Sequence, residues 1–264
     1  WYPWLWARGI IKKENFSNYE GWINYFNSFN IQDKYIFSDC IPVLEPEKKY
    51  QVFYLYLACL KYTFRLNDNQ MKFIKNYKTE MKWPEDKKIL AVQIRRGETC
   101  TVQGHKSDRE FFNLDVYIQN IDKLHKIHKY DYIYISTDSD QEIKKLQQEK
   151  PEWSLLYLPI DRKKFFRMND NASKPKNTKF SGVAQDLEDS CRLNPSKIPF
   201  IVDSGLADLY FISQCQGYIS TIGNSEFSRL GWYLQMSTQK TFMPYINLNS
   251  HYLDLSKRDN LLLL

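Results

Sequence analysis

The sequence predicts an α/β fold, in which a doubly wound parallel sheet follows a smaller, mainly helical N-terminal region. Three observations predict it: a first part dense in Trp, Tyr and Phe, short apolar runs that alternate with helical segments from Lys88 onward, and polar loops after those runs. Strands that alternate with helices are typical of a parallel sheet covered on both faces. We therefore expect an N-terminal region over residues 1–88 and a Rossmann-like domain over residues 89–264.

The composition indicates a folded protein with a buried core. Of the 264 residues, 43% are hydrophobic and 16% are aromatic, which excludes a disordered chain. The formal net charge of +6 would suit a polyanionic partner, but Lys and Arg are scattered among Asp and Glu. Because the sequence has no zinc-finger spacing and no RNA-binding aromatic signature, we expect no nucleic-acid partner.

The five cysteines are an odd number without a C-x-x-C pair, so they indicate neither a zinc site nor a complete disulfide framework. The longest apolar stretch, residues 52–60, is far shorter than the roughly 20 residues of a membrane helix. We expect no transmembrane segment in this sequence. The chain begins with Trp1 rather than Met, as a fragment of a longer protein would.

The N-terminal region contains two predicted helices. An apolar stripe at three- to four-residue spacing predicts one over residues 47–64, with the stripe packed in the core. The second is expected to begin after the cap candidates Asn67 and Asp68. It should end before Trp83, because Pro84 disfavours helix in the residue that precedes it.

The remaining elements follow from the alternation after residue 88. The predicted strands are residues 89–95, 132–137, 154–158 and 217–221, and the predicted helices are residues 114–127, 141–150, 203–215 and 226–236. Residues 161–199 are expected to be a loop with one helix at residues 182–190. Since ligands of such sheets bind at the carboxyl ends of the strands, three loops are candidates for a site.

The first candidate loop begins with the pair Arg95-Arg96. Strand side chains alternate between faces, so Gln93 and Arg95 should share one side while Arg96 points to the other. We expect Arg95 to bind phosphate oxygens and Arg96 to meet a supporting carboxylate or a second phosphate. Two arginines at the end of a buried strand are costly unless anions match them, which favours function over a structural ion-pair cluster.

The other two loops carry weaker signals. Asp138-Ser139-Asp140 has the Asp-x-Asp spelling of some metal sites, but its position before a predicted helix favours a cap with acidic first-turn residues. Residues 223–229 run from a strand into a helix, where backbone amides can bind a phosphate that Asn224 and Ser225 let approach closely. An ordinary cap without a ligand explains this loop equally well.

Three peptides in this order resemble the motifs of the α1,6/α1,2/protein O-fucosyltransferase superfamily, most closely its α1,6 branch. They are residues 92–98, residues 134–138, and residues 208–214 together with residues 225–229. The resemblance covers about residues 86–240. It implies a GT-B-like architecture and an inverting transfer of fucose from GDP-fucose to a glycan hydroxyl, without a metal or another cofactor.

The resemblance also implies roles for individual residues. Arg95 corresponds to the arginine on the donor β-phosphate, and Arg96 corresponds to its partner. Asp208 resembles the aspartate that reads guanine. Ser225 and Glu226 match the loop that holds the pyrophosphate.

Two positions depart from the family pattern, because Gln93 stands where His is usual and Glu98 where Asp is usual. Gln93 can both donate and accept, so it can still hold guanine. Glu98 can still support an arginine and is expected to act in catalysis with the arginine pair. Asp138 matches an acidic position near the donor or a structural cap.

The residues leave the catalytic base and the donor open. Glu98, His105, Asp108 and Glu110 are all candidates for the base that takes the acceptor's proton. The alternatives to GDP-fucose are GDP-rhamnose, GDP-mannose or a UDP-sugar. An inactive glycan-binding derivative and a nucleic-acid-binding domain are the alternatives from other classes.

Overall fold

The structure is a computed structural model, and it describes residues 57, 60–96, 112–165, 195–221, 225–240 and 243–248. In these ranges the strands are β1 (Ile89–Ile94), β2 (Tyr132–Thr137), β3 (Leu155–Leu156), β4 (Gly217–Ser220) and β5 (Tyr245–Asn247). The α-helices are α1 (Asp68–Met81), α2 (Leu114–His128), α3 (Asp140–Glu149), α4 (Ile198–Gln214) and α5 (Glu226–Gln239), and short 3₁₀ helices lie at Arg162–Phe165 and Pro195–Lys197.

The five strands form one sheet in the order β3-β2-β1-β4-β5, and all of its pairs are parallel. The chain builds β1, β2 and β3 outward in one direction and then returns to the other side of β1 for β4 and β5. The winding direction therefore reverses between β1 and β4. In doubly wound sheets a ligand crevice lies at this reversal, outside the carboxyl ends of the two strands. The α/β prediction with a parallel, doubly wound sheet is confirmed.

Helices cover both faces of the sheet. One face, here called the tyrosine face, carries Tyr134, Tyr218 and Tyr245 at one register level and packs against α1, α4 and α5. The other face carries apolar residues such as Val92 and Ile135 and packs against α2 and α3. All six residues of β1 are buried, as expected for a central strand of a sheet covered twice.

The described residues before β1 pack on the tyrosine face. In α1 the Asn67 side chain caps the helix by accepting a hydrogen bond from the Gln70 backbone N–H at 3.1 Å, and the chain turns at Lys82 with φ 50°. Both predicted ends of this helix are confirmed. Ile74 and Trp83 are buried in the same core as the sheet. The domain boundary at residues 88/89 stays a prediction.

Three elements differ from the predictions. Helix α4 begins at Ile198, earlier than predicted, because Pro199 lies in its first turn, where a missing N–H costs nothing. Strand β3 has only two residues. Strand β5 was not predicted, because its three residues are only partly buried and form no long apolar run.

Other predicted elements are only partly described. Of the predicted helix over residues 47–64, the described residues 57 and 60–63 are helical. The predicted helix at residues 182–190 lies outside the described residues. None of the described helices combines the length and apolar character that crossing a membrane requires.

Candidate functional site

The tyrosine face becomes polar where the strands end. Two residues further along the strands than the tyrosines, the same face carries polar residues. Gln93 of β1 is in register with Ser136 of β2, and Ser220 of β4 is in register with Asn247 of β5. The apolar core thus stops one layer before the carboxyl edge of the sheet. This edge is where the topology predicts a ligand crevice.

The tyrosine hydroxyls connect the core to this polar layer. Tyr134 donates to the Asp208 carboxylate at 2.5 Å, and Tyr218 donates to the Gln93 side-chain carbonyl at 3.3 Å. The Tyr245 hydroxyl lies 3.4 Å from Ser220 Oγ. A buried tyrosine normally needs such a partner, so the polar layer and the core stabilise each other.

Gln93 joins three elements of the edge. Its Oε1 accepts hydrogen bonds from Tyr218 on β4 and from the Ser228 hydroxyl on α5, and only 8% of Gln93 is exposed. Because the side-chain oxygen already accepts two hydrogen bonds within the protein, a ligand at the edge would contact the side-chain NH₂ group of Gln93, which is a hydrogen-bond donor. Its predicted contact with guanine stays a prediction.

Asp208 lies on α4 and is partly buried beside the end of β2. Burial raises the pKa of its carboxyl to about 6, while hydrogen bonds from Tyr134 and Ser136 and the charge of Arg162 oppose that rise. The negative charge of Asp138 adds to the rise. Asp208 is therefore ionised at neutral pH and takes up a proton in mild acid.

The start of α5 is tied to the end of β1. Ser225 is the N-cap of this helix, and its Oγ accepts a hydrogen bond from the Ser228 backbone N–H at 3.3 Å. The Ser228 hydroxyl in turn donates to Gln93. Both serines are buried. The positive end of the α5 dipole consequently lies next to the carboxyl end of β1.

Arg96 lies on the opposite face from Gln93, as strand alternation predicts. Arg96 lies on the face of α2 and α3, where its NH2 forms a 2.8 Å ion pair with Glu142 and its NH1 donates to the Phe112 carbonyl at 2.8 Å. Arg95 is partly buried. Because strand side chains alternate, Arg95 is expected on the same face of the sheet as Gln93. The supporting carboxylate of Arg96 is thus Glu142, while the phosphate role of Arg95 stays a prediction.

The Asp138-Ser139-Asp140 sequence splits between two partners. Asp138 accepts a hydrogen bond from the Arg96 backbone N–H at 2.8 Å, whereas Asp140 pairs with Arg162 at 3.0 Å. Ser139 is the N-cap of α3 but makes no side-chain cap hydrogen bond. Within the described ranges, no group of three or more His, Cys, Asp or Glu residues could hold a metal ion.

Arg162 is a central residue of this edge that the sequence reasoning missed. It is only 3% exposed, and it donates to the carbonyls of Thr137 and Leu158, both at 2.9 Å, besides Asp140. It thereby fastens the end of β2 to the segment after β3. In the sequence it is one basic residue in a Lys-rich stretch, so no signal distinguishes it from a surface charge.

The positions of several predicted site residues lie outside the part of the chain that the structure describes. Glu98, Asn224 and the base candidates His105, Asp108 and Glu110 lie outside the described residues, as does the side chain of Glu226. Their roles stay predictions.

Solved structures with a similar fold include two fucosyltransferases. The chain is 16% identical to the fucosyltransferase NodZ from Bradyrhizobium, covering 71% of this chain and 46% of that one with a TM-score of 0.38. It is also 16% identical to NodZ α-1,6-fucosyltransferase soaked with GDP-fucose, covering 64% of this chain and 43% of that one with a TM-score of 0.37. It is 13% identical to POFUT1 in complex with GDP, covering 73% of this chain and 51% of that one with a TM-score of 0.41.

The chain spans about half the length of these solved proteins. No protein-family model matches the sequence, and no curated protein matches it.

Proposed function

We propose that this chain binds GDP-fucose at the carboxyl edge of its sheet and transfers fucose to a glycan hydroxyl with inversion and without a metal ion. The observation that carries the proposal is the position of Arg95 and the start of α5. They follow β1 and β4, the two strands between which the winding direction reverses.

The pyrophosphate would lie between these two strand ends. Arg95 offers a planar guanidinium that can bind two phosphate oxygens at once. The start of α5, capped by Ser225, adds the positive end of a helix dipole. Arg96 contributes no direct contact in this arrangement, because its guanidinium is buried against Glu142 on the other face.

The base would lie toward Asp208 and Gln93. Guanine presents N–H donors on its Watson–Crick edge and a carbonyl acceptor beside them. An ionised carboxylate at Asp208 accepts such N–H groups, and the Gln93 amide can donate to a carbonyl. This pairing favours GDP over UDP, whose base offers a single N–H donor.

The chemistry would depend on charge that develops on the leaving group. As the bond to the anomeric carbon breaks, negative charge grows on the β-phosphate, and Arg95 would stabilise it more in the transition state than in the ground state. The acceptor hydroxyl would lose its proton to one of the predicted bases, Glu98, His105, Asp108 or Glu110.

A calorimetric titration with GDP tests the donor site. We expect micromolar binding by the wild-type protein, unchanged by EDTA. Arg95→Ala should weaken it roughly 100-fold, the effect of losing a charge-assisted bidentate contact. Lys126→Ala is the matched control, since it removes one exposed positive charge from the opposite end of the sheet. Equal GDP affinity in Arg95→Ala and Lys126→Ala would contradict the proposal.

A hydrolysis assay over a panel of donors tests the reaction without knowledge of the acceptor. We expect GDP-fucose to be hydrolysed faster than GDP-mannose, GDP-rhamnose or a UDP-sugar. Turnover that prefers another sugar would point to a different transferase. Glycan binding without any turnover would indicate an inactive derivative, and oligonucleotide binding with steep salt dependence would indicate a nucleic-acid-binding domain.

A further inference from the structure

The guanidinium of Arg96 is surrounded by protein atoms. Its NH2 lies 2.8 Å from Glu142 Oε2, its NH1 lies 2.8 Å from the Phe112 carbonyl oxygen, and its Cζ lies 5.5 Å from the ring centre of Tyr117. Only 7% of Arg96 is exposed. A guanidinium held in this way has a fixed position and is largely covered by protein.

Glu142 is as deeply buried as the arginine that it binds, with 7% of its side chain exposed. Burial alone would raise the pKa of its carboxyl, but the hydrogen bonds and charges of Arg96 and Lys145 outweigh burial and lower that pKa. The carboxylate therefore stays charged at neutral pH. A buried ion pair is often no more stabilising than apolar residues of the same size, so stability alone does not account for it.

The backbone of Arg96 is fixed as well as its side chain. Its N–H donates to Asp138 Oδ1 at 2.8 Å, and the residue before the pair, Ile94, is in register with Thr137 at the end of β2. Arg162 fastens the Thr137 carbonyl at 2.9 Å. Arg95 thus stands between two residues whose backbone positions are fixed.

We propose that Glu142 is a positioning residue for Arg95 and acts through Arg96, which anchors the backbone rather than contacting the donor. The inference rests on the proposed function, since it assumes that Arg95 binds the donor phosphate. A transition state gains most from donors that are held in place before the reaction. Loss of the anchor should therefore lower kcat more than it raises KM.

The test measures GDP-fucose hydrolysis in three variants. Glu142→Gln keeps the shape but removes the charge, and the double variant Arg96→Met with Glu142→Leu replaces the pair by apolar residues of similar size. Glu149→Gln is the control, because Glu149 is an exposed glutamate on the same helix. Thermal unfolding of each variant shows whether the fold is retained.

We expect the double variant to unfold at or above the wild-type temperature, with kcat reduced about 10- to 100-fold and KM changed less than about threefold. Glu142→Gln should show the same split between kcat and KM to a smaller degree, and Glu149→Gln should match the wild type. If the double variant does not fold, Glu142→Gln alone decides.

Two results would overturn the inference, and they are distinguishable. Wild-type kcat in the charge-removing variants, with Arg95→Ala inactive, would mean that Arg95 needs no anchor while the proposed function stands. A wild-type protein that neither binds GDP nor hydrolyses GDP-fucose would remove the proposed function and the positioning role together.

Discussion

Tyr134 donates its hydroxyl hydrogen to the Asp208 carboxylate at 2.5 Å, and this contact joins the second strand to α4 at the polar end of the tyrosine face. The ring of Tyr134 is completely buried. Burial of the Asp208 carboxyl itself raises its pKa to about 6, although Tyr134 and Arg162 favour its charged form. Asp208 is therefore held in a charged state that costs stability at neutral pH.

Asp208→Asn should change how stability depends on pH. Because the folded pKa of Asp208 lies above the ordinary value of 3.8, protonation favours the folded state. The contribution of protonated Asp208 to the free energy of unfolding is complete below the ordinary pKa of 3.8. It is lost as the pH rises through about 6. Relative to the variant, the wild type should lose about 2 to 3 kcal/mol of unfolding free energy between about pH 4 and pH 7.5.

Urea unfolding of both proteins across that pH range measures the difference. Asparagine keeps an acceptor for the Tyr134 hydroxyl, so the contact itself remains in the variant. Parallel pH profiles for the wild type and Asp208→Asn would contradict the prediction.

Glu142→Ala should cost about 3 to 5 kcal/mol of unfolding free energy, because it leaves the buried guanidinium of Arg96 without a counter-charge. The exposed Glu149→Ala should change stability by less than about 0.5 kcal/mol. The pKa of Glu142 is lowered in the fold, so the contribution of the pair is present at neutral pH and is lost in acid as the pH falls through that lowered pKa. A Glu142→Ala loss no larger than that of Glu149→Ala would show that water or another group replaces the carboxylate.

Gly217→Ala should destabilise the protein by about 1 to 3 kcal/mol through overpacking. A Cβ at Gly217 would overlap the Tyr130 hydroxyl and lie 2.7 Å from its Cζ. Gly205→Ala on α4 is the matched control, since the nearest atom to its Cβ is a Phe227 ring carbon at 3.9 Å. In that helix, alanine should add about 0.5 to 1 kcal/mol. Thermal unfolding compares the two, and a stable Gly217→Ala would mean that Tyr130 moves at little cost.

Asn67→Ala should cost about 1 kcal/mol, because its side chain is the N-cap that accepts the Gln70 N–H. Asn69→Ala, an exposed position inside the same helix, should instead stabilise slightly because alanine is the better helix former. Urea unfolding of both variants checks the contrast. Equal effects would indicate that the helix end is satisfied by another group.

Local physics made several features predictable from the sequence. The Asn67 cap marks the start of α1, Pro84 indicates that the helix ends before Trp83, and the apolar run before Arg95 marks β1. The alternation of side chains along a strand was enough to place Arg96 and Gln93 on opposite faces of the sheet. These signals lie within a few residues of the features that they predict.

The contacts of the candidate site needed the fold. In the sequence, Glu142 is one of the acidic residues in the first turn of a predicted helix. In the structure it forms an ion pair with Arg96, which lies 46 residues earlier in the chain. Tyr134 and Asp208 are 74 residues apart. Strand β5 escaped prediction because three partly buried residues at a sheet edge form no periodic pattern.

The sequence by itself determined the alternation of strands and helices and the face of the sheet that Arg96 takes, because periodicity and caps act between neighbouring residues. Only the tertiary structure decided the strand order, the Glu142–Arg96 pair and the buried environment of Asp208. Those depend on which distant segments pack together, since burial and counter-charges come from elements that are far apart along the chain.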